Sequence, residues 1–336
     1  RQAKPVVAGQ HGMEGCRVYH SGVARPWDRY GGPIAGGSNV VFVKLFKCAS
    51  STTGGIIRRI ADHHKLSGVH DKGWIENEPG IWANHGRLRS GGFNAPSLRL
   101  MAQLQRPAVL VTFVRSPADR CLSMWYHEEA SRNGAAITSE QKILALSNCT
   151  NFMYHYIAPT SKESPSPRAL VRSTYSFVGV VEQYDTSVVL LAEILGVPLR
   201  SVLYLASKNS SDGGNDGQGF AFVPNPGIQN EPPAVQAFVR GQFAQQNHLD
   251  LALVAEASAA LTERAGSSRE FADRLTQFKA MRDRATATCA GSGAGSDDAD
   301  CYWNDNGCGF KCLDALYPGP STPKSTTLRG GGDGST

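Results

Sequence analysis

No stretch of this sequence stays apolar long enough to cross a bilayer as a helix, so nothing in it reads as a membrane span. It has no stripes of Lys and Arg, which argues against a nucleic-acid binder. The Walker pattern G-x-x-x-x-G-K-[ST] is missing, and so are paired C-x-x-C knuckles, so neither the usual P-loop signature nor a zinc ribbon is written here. No internal repeat is found. There is no signal peptide and the first residue is Arg1, so the sequence reads as a fragment or mature form from which a targeting segment has been removed.

What is there is a globular composition, with 41% hydrophobic and 19% charged residues over 336 positions. The net charge of +5 is a mild excess that suits an anionic ligand. Residues 1–38, rich in Gly and Pro, are expected to form an irregular arm. Asn39 to Phe46, Val109 to Val114 and Phe177 to Val181 read as buried strands, and Val202 to Leu205 as a fourth, short one. A helix pattern with Ile56, Ile57, Ile60 and Ala61 on one face follows the first strand. Another runs from about Thr186 to Leu195, ended by Gly196 and Pro198. From Val235 to Arg284 the periodicity is helical. This alternation predicts an α/β fold with a central parallel sheet and helices on both faces. The expected units are a main domain over 39–288, a Cys-rich extension over 289–320 and a disordered tail over 321–336, with a loose linker at 291–300.

Two places can hold anions. The first strand runs into Lys44, Lys47, Cys48, Ala49, Ser50, Ser51, Thr52 and Thr53 before its helix. Helix-start N–H groups and the helix dipole favour negative charge, the lysines add point charges and the hydroxyls add donors. The second strand ends at Arg115. Ser116 is placed as an N-cap, Pro117 at the first helical position, and Asp119 to close a capping box. Ser123 falls on the same helix face as Ser116, so Arg115 and Ser123 can bracket one phosphate.

The stretch Lys44-Leu-Phe-Lys-Cys-Ala-Ser-Ser-Thr52 resembles the phosphosulfate loop of Golgi carbohydrate sulfotransferases, most closely the galactose 3-O-sulfotransferases, with the uronosyl 2-O-sulfotransferases next. Arg115-Ser-Pro-Ala-Asp-Arg-Cys-Leu-Ser123 is similar to the family's 3′-phosphate motif, with Ser116 where Asp is usual. The segment from Phe177 to Leu191 and the tail from Asp305 to Cys312 extend the likeness. The resemblance implies a P-loop-NTPase-like three-layer fold. It also implies an enzyme that moves a sulfuryl group from 3′-phosphoadenosine-5′-phosphosulfate (PAPS) onto a carbohydrate hydroxyl, a galactose 3-OH being favoured. The acceptor would be a glycan on lipid, protein or polysaccharide, with no metal and no nucleic acid. The enzyme would sit in the Golgi lumen, held by an N-terminal anchor absent from this sequence.

Within that reading Lys47 stabilises the bridging oxygen, and the cofactor contacts run from Lys44 through Thr53 and on to Arg115 and Ser123. Cys48 stands where threonine is usual. His85 is the expected base, with His127 and Glu182 as rivals, and His85 and Arg87 lie where related enzymes place acceptor-site residues. Two other readings stand beside it: a P-loop-like kinase, which shares the first cradle but needs a Mg²⁺-binding Ser or Thr directly after the lysine, and a glycan-binding protein without catalysis, which would keep the fold but lose Lys47 or Arg115.

Asn148 and Asn209 sit in N-x-S/T sequons. Cys289, Cys301, Cys308 and Cys312 could form two disulfides or a four-thiolate zinc site; the lumenal compartment implied by the resemblance favours two disulfides. Cys48 and Cys121 are expected as free thiols, with Cys16 and Cys149 undecided.

Overall fold

The computed structural model describes residues 39–66, 80–85, 108–158, 165–205, 222–289 and 308–318. The arm at 1–38, the linker at 291–300, the tail at 321–336, and Cys16, Arg87, Asn209 and Cys301 lie outside the described residues.

Four parallel strands form the sheet: β1 (Asn39–Val43), β2 (Ile81–Asn84), β3 (Ala108–Val114) and β4 (Phe177–Val180), in the order β2-β1-β3-β4. In register, Val40 faces Ile81 on one side and Val109 on the other, and Val111 faces Phe177. Every residue of β1, β3 and β4 is buried, as expected when both faces of a parallel sheet are covered. Glycine is needed once in this core. A Cβ on Gly179 would lie 2.5 Å from the Phe113 ring, which fills that space between the strands.

The flanking helices are α1 (Ser50–His63), α2 (Pro117–Trp125), α3 (Ser139–Ser147), α4 (Phe152–Ile157), α5 (Tyr184–Leu195), α6 (His248–Ala265), α7 (Arg269–Cys289) and α8 (Phe310–Leu316). Gly196, at φ 68°, closes α5 in the left-handed conformation that glycine tolerates. A π-helical turn, Tyr126–Arg132, continues α2. Under it lies a buried ion pair: Lys142 Nζ donates to Glu231 Oε2 at 2.6 Å, and Tyr126 donates its hydroxyl to Glu231 Oε1 at 2.7 Å. The last helix docks on the first. Arg59, buried on α1, donates to Asp314 Oδ1 through Nε at 2.9 Å and to the carbonyl of Leu203 through Nη1 at 3.1 Å.

Several expectations need correction. Val202 to Leu205 is not a strand: Leu199–Val202 is a 3₁₀ turn, and the Leu203 carbonyl is taken by Arg59 instead of a ladder. The short strand β2 was not anticipated. Asp119 does not close a capping box. Ser116 Oγ does accept from Asp119 N at 3.4 Å, but the reciprocal carboxylate on Ser116 N belongs to Glu182, at 2.8 Å. The Asp side chain, shorter than the Glu or Gln of that motif, accepts from Ile228 N instead, at 3.1 Å.

Cys121 is not a free thiol. It is bonded to Cys149, which ties α2 to the end of α3. Cys289 and Cys312 form a second disulfide, within the expected set, and Cys308 is disulfide-bonded as well. Among the described residues no helix is long and apolar enough to cross a membrane, and no group of three or more His, Cys, Asp or Glu side chains is arranged to hold a metal.

Candidate functional site

The carboxyl ends of all four strands open into one cavity of about 400 Å³. Phe46, Lys47, Ala49, Ser50, Ser51 and Thr52 reach it from the loop after β1. His85 comes from the end of β2, Arg115 from the end of β3 and Val181 from the end of β4. Ser123, Met124, His127 and Glu128 close it along α2 and the π turn. Chain order reverses between β1 and β3, with β2 on one side and β4 on the other, and that switch point is where open α/β sheets bind ligands.

The loop after β1 holds two non-glycine residues in the left-handed region, Lys47 at φ 64° and Ala49 at φ 53°. Each such residue costs on the order of 1–2 kcal/mol, and strain of this kind clusters at ligand clamps. Ala49 is the N-cap of α1 and supplies no capping side chain. The helix's own ladder begins with Thr53 N to Ala49 O at 3.0 Å, so the N–H groups of the first turn face the loop. Lysine charge, hydroxyls and helix N-terminus meet at one spot.

Not every expected residue reaches it. Lys44 is buried, with its side chain laid along Gly54. The Cys48 thiol turns into the core and donates to Met153 Sδ at 3.8 Å; burial pushes it up to about 12. Thr53 Oγ1 pairs with the Tyr184 hydroxyl at 2.9 Å, inside the fold. Arg120 is buried too, stacked 4.2 Å over Phe152, with Nη2 donating to Cys149 Sγ at 3.3 Å. Asn148 is exposed at the C-cap of α3, beside the disulfide at Cys149.

Arg115 Nη1 donates to the Lys47 carbonyl at 3.3 Å, which joins the two anion-binding stretches, and Ser123, itself buried, lies on the same cavity wall. His85 is held twice. Its Nδ1 is 3.0 Å from the Lys44 carbonyl, and its ring stacks on Phe46 with centroids 4.1 Å apart and planes 7° apart. A carbonyl only accepts, so Nδ1 carries the hydrogen and Nε2 is the basic atom of the neutral ring. Glu182 is engaged at the start of α2 through Ser116 N.

Sequence reasoning passed over Phe46, Met124, Glu128 and Val181. Phe46 and Glu128 adjoin Lys47 and His127, so proximity in sequence could have raised them. Met124 and Val181 adjoin Ser123 and Glu182 in the same way, but carry no chemical signal of their own. Comparison of the chain with protein-family models, with curated proteins and with solved structures gives no match.

Proposed function

We propose that this protein is a PAPS-dependent O-sulfotransferase that acts on a carbohydrate hydroxyl, with a galactose 3-OH-like acceptor favoured, on a P-loop-like scaffold. The observation that carries the reading is the convergence of Lys47, Arg115, Ser123 and His85, two anion-binding stretches and an oriented imidazole, on one cavity at the sheet's switch point. Its donor chemistry fits a nucleotide with anionic groups at two positions: hydroxyls, helix N–H groups and an ammonium on one side, a guanidinium and a buried hydroxyl on the other.

PAPS supplies a sulfuryl group already bonded to a phosphate. His85 Nε2 takes the proton of the acceptor hydroxyl as its oxygen attacks sulfur. Lys47 stabilises the negative charge that grows on the bridging oxygen as the bond to phosphate breaks. Arg115 and Ser123 hold the 3′-phosphate in line. This is catalysis by positioning and preorganised charge.

The kinase alternative is weaker because the residue after Lys47 is Cys48, with its thiol in the core, where a kinase loop places a metal-binding hydroxyl. Glu182 is the lesser rival base because its carboxylate caps α2. A thermal-shift comparison tests the cofactor assignment: adenosine 3′,5′-bisphosphate is expected to stabilise the protein well beyond ADP, by about 2.7 kcal/mol at a hundredfold excess over its Kd. Equal shifts would reject it. The lumenal location is part of the proposal and is tested by locating the protein in cells.

A further inference from the structure

His127 has no part in the transfer scheme above, yet it lines the same cavity. It stands four residues after Ser123, where α2 passes into the π turn, and both side chains reach the cavity wall. Its ring is fixed on two sides. Nδ1 is 2.8 Å from Glu128 Oε1, and the imidazole stacks on Phe222 with centroids 5.0 Å apart and planes 15° apart. The carboxylate accepts, so Nδ1 carries a hydrogen and Nε2 is the atom that gains or loses the proton. Only a protonated Nε2 can donate to an anion.

The charged groups around this ring come from every side of the cavity. Lys47, on the loop after β1, acts on its charge, and Arg115 from the end of β3 and His85 from the end of β2 line the same cavity. Glu128 and Arg132 lie on its own turn, and Glu182, after β4, is turned to Ser116 N. Burial and then the Lys47 charge hold His127 below its ordinary value, against the upward pull of Glu128. The Lys47 contribution changes when an anion occupies the cavity, because bound negative charge offsets that ammonium and favours the imidazolium.

We propose that His127 is a proton-coupled anion ligand of this cavity: a phosphate or phosphosulfate group bound beside Lys47 draws a proton from solvent onto Nε2, which then donates to that anion. The proposal rests on the cavity taking an anionic nucleotide. The only bond formed is the N–H at Nε2, its proton coming from solvent; up to one proton is taken up per anion bound. Uptake on binding means that affinity rises as pH falls through the bound-state midpoint and levels off below the free-state midpoint. Each unit of upward shift is worth about tenfold in affinity.

The test is a pH titration of the His127 ring proton resonance, assigned by its loss in His127→Asn. It is run on the protein alone, with saturating adenosine 3′,5′-bisphosphate, and with inorganic phosphate. The midpoint is expected to rise with either ligand. Nucleotide affinity is expected to increase between about pH 8 and about pH 6 by a larger factor in the wild type than in His127→Asn, a comparison that cancels the titration of the ligand's own phosphates. A midpoint unmoved by both ligands overturns the proposal. A rise with phosphate, together with no nucleotide binding, supports His127 as an anion ligand and removes the nucleotide reading instead. A variant that keeps the wild-type pH dependence of nucleotide binding but loses turnover makes His127 a proton acceptor in the reaction and also overturns the proposal.

Discussion

Arg115 donates from Nη1 to the carbonyl of Lys47 at 3.3 Å, so the guanidinium at the end of β3 braces the residue that carries the ammonium at the end of β1. Removing Arg115 should therefore weaken both anion-binding stretches. Arg115→Ala is expected to lower adenosine 3′,5′-bisphosphate affinity by about 1.5–3 kcal/mol, the worth of a charge-assisted hydrogen bond. Arg115→Lys should recover only part of this, because an ammonium lacks the planar fork. Calorimetric titration measures it; unchanged affinity in Arg115→Ala would separate Arg115 from the nucleotide.

Lys47 offers a substitution that splits chemistry from folding. At φ 64° a glycine is relaxed, so Lys47→Gly should melt within about 1 kcal/mol of wild type. Turnover should nevertheless fall by orders of magnitude while product-nucleotide affinity falls less, because the charge matters most as the bridging oxygen becomes negative. Near-normal turnover in a folded Lys47→Gly protein would remove the lysine from the chemistry.

Cys48 should be inert. Its thiol is buried against Met153, and a value near 12 keeps it protonated at physiological pH, so it has no thiolate to react. Alkylation followed by mass spectrometry should show labelling of Cys48 only on unfolding, and Cys48→Ala should bind nucleotide like the wild type. Rapid labelling of the native protein would contradict the burial.

The Cys121–Cys149 bond closes a loop of 28 residues two positions before Ser123. Replacing both cysteines by Ser should cost about 2–4 kcal/mol of stability, read as a lower melting temperature, and should also weaken the Ser123 side of the cavity. An unchanged melt would mean the cross-link constrains nothing that folding does not already fix.

The sequence is legible where one local rule decides. β1, β3 and β4 announce themselves as short β-branched runs, and α5 by its periodicity and Gly196. β2, Ile-Trp-Ala-Asn, is as short as β4 but has a single β-branched residue and ends in Asn, so it lacks a strand signature, and its place beside β1 is set by pairing with Val40 to Val43. Val202 to Leu205 looks like a strand by composition, but Arg59 takes the Leu203 carbonyl from far along the chain. The same holds at the site. Lys47, Ser50 and Arg115 could be singled out from their neighbours in sequence. That Cys48 and Thr53 face inward, that Cys121 meets Cys149, and that Glu182 caps α2 depend on contacts between distant segments, which no local pattern encodes.

The most direct measurement is the transfer itself. The protein is incubated with PAPS and a panel of neutral and acidic oligosaccharides, and the products are read by mass spectrometry alongside release of adenosine 3′,5′-bisphosphate. The account predicts an acceptor that gains one sulfuryl group, galactosides foremost, with nucleotide released in equal amount. It also predicts loss of both signals in His85→Ala and Lys47→Ala proteins that still fold. Phosphoryl transfer from ATP in place of sulfuryl transfer, or turnover that persists in both variants, would contradict it.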